Sequence, residues 1–266
     1  MVPGTASPHP SSAVDDLAAR QTDLAVSTRL ADGTTFGRRR ERDGMDACCF
    51  DMDGVVVDSE RHWVPLENDR ILPSVVDAPP GEGPTASEIT GMNVEDAYAY
   101  LDREYETGVG LEGYLDVYDD AAAELYDDRV ALLAGFEDLC EDLHDAGVSV
   151  ALVSSSPHRW IDRVLDRFDL HDAFHAVVSA DDVPGAGKPA PDVYAHATER
   201  LDVDPSASVA VEDSTHGTAA ASAAGLDVVG YRTDANRSVT FADADVVVEG
   251  AAALREHLCG RAGVDG

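Results

Sequence analysis

The stretch that most restricts the fold of this 266-residue chain is a short apolar run that ends in two carboxylates and a glycine. Residues 47–50 lead directly into Asp51, Asp53 and Gly54, and a second apolar run follows. This order is typical of a buried strand that ends at the working edge of an α/β sheet. Because residues two positions apart on a strand point to the same side, Asp51 and Asp53 can serve one site. The alternative is a solvated Asp-Gly turn between two strands.

Further along the chain, short apolar runs alternate with amphipathic segments. The runs at 148–153, 176–179, 209–211, 228–230 and 246–248 predict strands. Their alternation with helices predicts an α/β fold, a Rossmann-like doubly wound parallel sheet with helices on both faces. Residues 61–130 contain no strand-like run and show helical spacing, which predicts an inserted helical cap domain. The core then consists of residues 45–60 and 131–266.

The first 44 residues differ from the rest in composition and charge. They are rich in Ser, Thr, Pro, Gly and Ala, and their six arginines balance six acidic residues. No hydrophobic period runs through them, which predicts a poorly ordered N-terminal extension at residues 1–44. An alternative is that the native chain begins at Met45, directly before the first strand.

The remainder of the chain is strongly acidic. The whole sequence has 52 acidic and 19 basic residues, a net charge of -33 and a pI near 4.2. Such a charge excludes nucleic acid and anionic membranes as expected partners, and it is typical of the solvated surfaces of halophilic proteins. The apolar fraction of 44% is that of a folded protein. Every basic residue except Lys188 is arginine, so this one lysine is a candidate functional residue.

The cysteines and the hydropathy indicate the compartment. The four cysteines form no Cys-x-x-Cys pair, and the adjacent Cys48 and Cys49 fall in one predicted strand, where they face opposite sides. We therefore expect reduced thiols. No apolar stretch approaches the roughly 18 residues of a membrane span. The expected localisation is cytoplasmic.

Polar side chains follow the predicted strands at the edge where ligands bind in such sheets. In chain order they are Asp51, Asp53, Ser154, Ser155, Ser156, Lys188, Glu212 and Asp213. Oxygen ligands without histidine or cysteine select Mg²⁺ over zinc or copper. Serines at the start of a helix favour an anion, most naturally phosphate. The sequence therefore predicts a site for Mg²⁺ and a phosphate group.

Four motifs in this set resemble those of the haloacid dehalogenase (HAD) superfamily of phosphotransferases. They cover residues 45 to about 230 and read Asp51-x-Asp53-Gly-x-x-x-Asp58-Ser59, the strand break at Ser154-Ser155, Lys188-Pro-x-Pro-Asp192, and Glu212-Asp213-Ser214-x-x-Gly217. Together with the helical cap they are similar to the subgroup of phosphoglycolate phosphatase and β-phosphoglucomutase. The resemblance implies a Mg²⁺-dependent phosphatase that hydrolyses a small phosphorylated metabolite, such as a sugar phosphate or a phosphoglycolate-like compound, through an aspartyl-phosphate.

The resemblance also implies a role for each motif residue. Asp51 would be the nucleophile, and Asp53 would protonate the leaving oxygen and then activate water. The phosphoryl group would be held by Gly54, Ser154, Ser155 and Lys188. The Mg²⁺ ligands would be Asp51, the backbone carbonyl of Asp53 and Asp213, with Glu212 binding directly or through water.

Several interpretations remain open in the cap. His62 and Trp63 would contact substrate or line the hinge, and Asp58 with Ser59 would cap the first cap helix. A phosphomutase is the alternative function, but Val94 stands three residues after Gly91, where β-phosphoglucomutases have an arginine, and the cap has no lysine. A catalytically silent phosphate- or metal-binding protein is a third hypothesis. It predicts a lost nucleophile or lysine, and both are present. The oligomeric state stays open.

Overall fold

The computed structural model describes residues 44–79, 81–89, 94–184 and 187–264. Its centre is a six-stranded parallel sheet, which confirms the predicted α/β fold. The strands are β1 (Ala47–Phe50), β2 (Ser149–Ser154), β3 (Ala176–Ser179), β4 (Ser208–Glu212), β5 (Asp227–Arg232) and β6 (Val246–Glu249). Except for Gly44, the predicted N-terminal extension lies outside the described residues.

The strand order β3-β2-β1-β4-β5-β6 creates a switch point between β1 and β4. From β1 the chain winds outward through β2 to β3, and from β4 it winds in the other direction through β5 to β6. Phe50 of β1 is in register with Val211 of β4. Ligands of doubly wound sheets bind in the crevice at such a point, outside the carboxyl ends of the strands.

The described residues of 60–129 form helices joined by turns and loops and contain no strand of the sheet, and we refer to residues 60–129 as the helical insert. It contains α1 (Glu60–Leu66), α2 (Leu72–Val75), α3 (Ala86–Ile89), α4 (Val94–Tyr105) and α5 (Leu111–Glu124), with π-helical turns at Glu67–Ile71 and Leu125–Arg129. Asp58 joins the two ends of the insert, because its Oδ1 accepts a hydrogen bond from the Ala131 N–H at 2.7 Å. Gly91 of the mutase comparison lies outside the described residues.

Helices cover both faces of the sheet, as the alternating pattern predicts. They are α6 (Phe136–Asp145), α7 (His158–Phe168), α8 (Asp192–Leu201), α9 (Thr215–Ala224) and α10 (Ala251–Ala262). Cys48 packs in the layer that contains Phe136 and Leu254, whereas Cys49 packs in the opposite layer with Tyr194. All four cysteines lie within the described residues and are free thiols. Among the described helices, none combines the length and apolar composition of a membrane span.

Candidate active site

Neighbouring strands β1 and β4 bring three carboxylates to one point of the sheet edge. Asp51 follows β1, while Glu212 ends β4 and Asp213 follows it. The Asp51 N–H donates to the Val211 carbonyl at 3.0 Å, so the ladder continues to the residue that carries the carboxylate. One oxygen of each carboxylate lies within 4.8 Å of the others, and all three residues are buried. Three of the residues proposed from the motifs therefore share one site.

Lys188 is the buried counter-ion of this cluster. Its Nζ lies 2.6 Å from Asp51 Oδ1 and 2.6 Å from Glu212 Oε1, and it donates to the Val153 carbonyl at 3.0 Å. Only 6% of the side chain is exposed. Burial alone would lower the pKa of the ammonium group, but Asp51 and Glu212 outweigh it, and the pKa is raised. Lys188 is thus held in its charged form between two acids.

One lysine does not neutralise the acids around it. Burial raises the pKa of Asp51 in spite of Lys188, with Glu212 adding to the rise. Burial also raises the pKa of Asp213, and Asp51 and then Glu60 raise it further. Among the described residues, no donor forms a hydrogen bond with the Asp213 carboxylate. Three buried carboxylates share one lysine, and one of the three accepts no hydrogen bond from the part of the chain that the structure describes; such a set fits a hard divalent cation.

Two glycines leave the space that these carboxylates occupy. Gly54 has a φ of +81°, and a Cβ added there would lie 2.0 Å from Asp213 Oδ2. A Cβ added to Gly217 in α9 would lie 1.7 Å from Glu212 Oε2. The Gly54 N–H already donates to the Val57 carbonyl at 2.7 Å. A glycine is therefore required at position 54 to leave room for the Asp213 carboxylate. The phosphate contact expected of Gly54 from the motif stays a prediction.

The second motif aspartate, Asp53, has different partners from Asp51. Its Oδ1 accepts hydrogen bonds from the hydroxyls of Ser59 at 2.6 Å and Tyr126 at 2.7 Å. Its Oδ2 accepts a hydrogen bond from the Ser156 hydroxyl at 2.9 Å. The two aspartates therefore have separate environments, one ionic and one made of hydroxyl groups.

The last residue of β2 and the loop after it provide the predicted phosphate-binding serines. Ser154 is buried, and its Oγ accepts a hydrogen bond from the Ser156 N–H at 3.0 Å, whereas Ser155 is exposed. Helix α7 begins only at His158, after Pro157, so Ser154 closes a turn ahead of the helix and is not its N-cap. Ser154 is thereby joined to Ser156, whose hydroxyl donates to Asp53.

The two predicted insert residues lie in α1. Trp63 belongs to an aromatic cluster, with ring centroids 5.5 Å from Trp160 and 6.1 Å from both Tyr118 and Tyr126. His62 accepts a hydrogen bond from the neighbouring Arg61 Nε at 3.2 Å. Through Tyr126, the Trp63 cluster adjoins Asp53.

The cap role expected for Ser59 is wrong. Ser59 stands at the N-cap position of α1, but its side chain makes no capping bond and donates instead to Asp53. A capping hydroxyl accepts a hydrogen bond from a backbone N–H of the first turn, whereas the Ser59 hydroxyl points to the Asp53 carboxyl group and donates to it. Asp58 joins the insert ends and pairs with Arg61.

The sequence interpretation missed four residues near the site. Tyr194 donates to Glu212 Oε1 at 2.6 Å, and its signal was its place in the helix that the Lys188 motif opens. The neighbouring protein atoms displace water from the Glu60 carboxyl group and raise its pKa to about 7, with Asp53 adding to the rise, although the residue as a whole is exposed. Ser156 was noted only as part of a serine run. No sequence signal pointed to Tyr126.

Comparison with known proteins agrees with the motif resemblance. A family model described as haloacid dehalogenase-like hydrolase matches residues 45–225, which confirms the resemblance drawn from the four motifs. Hexitol phosphatase B of Escherichia coli (strain K12) is 33% identical over 202 residues, which cover 75% of this chain and 90% of that protein.

Solved structures share the fold. A HAD family hydrolase of Deinococcus radiodurans R1, solved with bound phosphate and sodium, has a TM-score of 0.63 and 28% identity, covering 84% of this chain and 98% of that one. A putative β-phosphoglucomutase of Thermotoga maritima has a TM-score of 0.61 and 27% identity, covering 83% and 100%.

Proposed function

Because the chain belongs to the haloacid dehalogenase-like hydrolase family, we propose that it is a phosphatase that hydrolyses a small phosphomonoester with Asp51 as the nucleophile. The observation that carries this proposal is the buried Asp51 carboxylate at the β1–β4 switch point, paired with Lys188 at 2.6 Å. Only an ionised carboxylate can attack phosphorus, and the ammonium group of Lys188 opposes the rise that burial causes in the pKa of Asp51.

The first half of the reaction is the transfer of the phosphoryl group to Asp51. An Asp51 oxygen forms a bond to phosphorus, and the P–O bond to the leaving group breaks. Lys188 sits beside Asp51 and offsets the negative charge that accumulates on the transferring group. Ser154 ends β2 and Ser155 follows it at the same edge of the sheet, where the Ser154 side chain and the N–H of Ser155 would bind phosphoryl oxygens.

Asp53 supplies the proton transfers. It protonates the leaving oxygen as the ester bond breaks, and it then takes a proton from the water that attacks the aspartyl-phosphate and releases Asp51. Its separate hydroxyl environment supports this division of work between two carboxylates only two residues apart.

The acidic cluster fits Mg²⁺, which when bound offsets the charge of the phosphoryl oxygens as a Lewis acid. Asp51, Asp213 and the backbone carbonyl of Asp53 would hold the ion. Glu212 already bonds Lys188 and Tyr194, which favours an indirect role through water.

The helical insert favours a substrate with a single phosphate and an uncharged remainder. Its four arginines form ion pairs with acidic residues: Arg61 with Asp58, Arg70 and Arg129 with Glu124, and Arg103 with Glu104. A phosphomutase must bind a second phosphate, and a phosphoglycolate enzyme a second anion. We therefore place a sugar or sugar-alcohol phosphate first, in agreement with the name of the hexitol phosphatase relative.

The free cysteines support a reducing, cytoplasmic compartment.

The test compares wild type with Asp51→Asn on 4-nitrophenyl phosphate, followed by a panel of hexitol, hexose and glycerol phosphates, 2-phosphoglycolate and sugar bisphosphates. Wild type should release phosphate only with Mg²⁺ and lose activity in EDTA. Asp51→Asn should lower turnover by at least about 10³-fold while the fold survives. Asp243→Asn removes an exposed carboxylate and is the matched control. Full turnover by Asp51→Asn, or conversion of a hexose 1-phosphate to its 6-phosphate, would overturn the proposal.

A further inference from the structure

The Asp53 carboxyl group accepts hydrogen bonds from hydroxyl groups in three separate parts of the chain. Ser59 lies where the chain enters the helical insert, Tyr126 lies in the last turn of the insert, and Ser156 belongs to the core loop after β2. Tyr126 is 73 positions from Asp53 in sequence. The carboxylate thus bonds both ends of the insert and the core at once.

The phenol of Tyr126 is fixed in place by its surroundings. The residue is fully buried, and its ring packs against Trp63 of the insert and Trp160 of α7, with centroids 6.1 Å and 6.2 Å away. Its backbone carbonyl accepts a hydrogen bond from Arg167 of α7 at 2.7 Å. It lies in the π-helical turn Leu125–Arg129, an irregularity often found where a helix directs a side chain toward a functional site. Tyr126 is therefore anchored to the core independently of Asp53.

Resting on the proposed phosphatase function, we propose that Tyr126 is a positioning residue that holds Asp53 in the orientation needed for proton transfer to the leaving group. Two hydroxyls already bond Oδ1, so its lone pairs are occupied. The proton that moves is then carried at Oδ2, which accepts a hydrogen bond from Ser156 alone among the described residues.

With the proton at Oδ2, the proton transfers and the bonds formed and broken balance in both halves of the reaction. The Oδ2 proton goes to the ester oxygen as the P–O bond breaks and its electron pair moves to that oxygen, which leaves Asp53 as a carboxylate. Oδ2 next takes a proton from water as the water oxygen bonds to phosphorus and the Asp51–phosphorus bond breaks. Asp53 turns about its side-chain bonds if Tyr126 does not hold Oδ1, and the proton is then poorly aimed.

The variant Tyr126→Phe removes the hydroxyl and keeps the ring that packs against Trp63 and Trp160. Its effect is measured as kcat/KM on a series of aryl phosphates, from 4-nitrophenyl to phenyl to 4-methoxyphenyl, and on glycerol 1-phosphate. A good leaving group departs with little protonation, whereas a basic one needs the acid. We expect little change on 4-nitrophenyl phosphate and a loss on the order of tenfold or more on phenyl and glycerol phosphates.

Tyr98→Phe is the matched control, because Tyr98 lies in the same insert and its hydroxyl donates to the Val109 carbonyl. It should leave the dependence on leaving-group basicity unchanged. Ser59→Ala removes the other donor to Oδ1 and should change the dependence in the same direction as Tyr126→Phe, which keeps the test available if Tyr126→Phe does not fold.

The outcomes separate the two proposals. If wild type hydrolyses the series, Asp51→Asn does not, and Tyr126→Phe shows the same leaving-group dependence as wild type, the role of Tyr126 is refuted and the phosphatase function stands. An equal loss on every substrate refutes it as well, because a structural defect would not distinguish leaving groups. If wild type is inactive on all of them, the phosphatase function itself fails.

Discussion

Lys188→Met removes the positive charge of the acidic cluster and keeps most of the apolar side chain. The Nζ lies 2.6 Å from one oxygen each of Asp51 and Glu212. At an effective dielectric of about 20, each contact at that distance corresponds to about 6 kcal/mol of attraction. Most of this is offset by the cost of removing the charges from water. The variant leaves two buried carboxylates without their counter-ion, which should lower the free energy of unfolding by about 3–5 kcal/mol.

The assay is urea denaturation at fixed salt, with and without Mg²⁺, because guanidinium would screen the charges under study. Without Mg²⁺, Lys188→Met should unfold about 3–5 kcal/mol more easily than wild type. Saturating Mg²⁺ should recover more stability in the variant than it adds to wild type, because the variant site has a larger negative charge to neutralise. Adding Glu212→Gln to Lys188→Met should restore part of the loss.

Two results would contradict this reasoning. A loss below about 1 kcal/mol would mean that the carboxylates become protonated or rearrange at little cost. Strict additivity of the Lys188→Met and Glu212→Gln effects would mean that the two groups do not interact, although their atoms lie 2.6 Å apart.

Two further changes test the surroundings of the site. Gly217→Ala places a methyl group against the Glu212 carboxylate and should cost about 1–3 kcal/mol in thermal unfolding. Gly260→Ala in α10 meets no neighbour within 4 Å and should instead stabilise by about 0.5–1 kcal/mol, so equal effects would contradict the steric argument. Burial raises the pKa of Glu67 although Tyr118 donates to it, so the folded state favours the neutral acid and stability is lost as pH rises through the raised pKa. Glu67→Gln should therefore raise the melting temperature more at about pH 7.5 than at about pH 4.5. A difference that does not change with pH would show that ionisation of Glu67 does not destabilise the folded state.

The fold could be predicted in most of its parts because its signals are local. A buried parallel strand is a short apolar run with a polar break after it, and β1, β2 and β4 each have this form. Element ends were less certain. Within residues 61–130, where the spacing predicts helices, α5 is followed by a π-helical turn, Leu125–Arg129, which amphipathic spacing does not reveal. A π-helical turn has one residue more than an α-helical turn, and this one packs against α7, a contact that no local pattern predicts.

The site could be predicted only where its residues come from strand ends. Parallel strands bring their carboxyl ends to one edge, so Asp51 and Asp213 follow from chain order alone. Tyr126 and Tyr194 come from helices, and which way such a side chain points depends on how the helix packs. The hydroxyls of Ser59 and Ser156 could not be assigned to Asp53 for the same reason. Their choice of acceptor depends on distances that no sequence pattern encodes.

The solitary lysine shows why composition was informative here. The chain uses arginine at every other basic position, so a lysine at 188 requires a reason that charge alone does not supply. An ammonium group has three donors around one compact atom, and Lys188 has three acceptors: Asp51 Oδ1, Glu212 Oε1 and the Val153 carbonyl. A guanidinium group is planar and larger and carries five donors, so at a buried position it would leave donors unmet and press against Tyr194, whose ring lies 5.2 Å from Nζ. Lys188→Arg keeps the charge and changes only this geometry, so we expect it to lower the melting temperature, and an unchanged melting temperature would show that charge alone is the reason for the lysine.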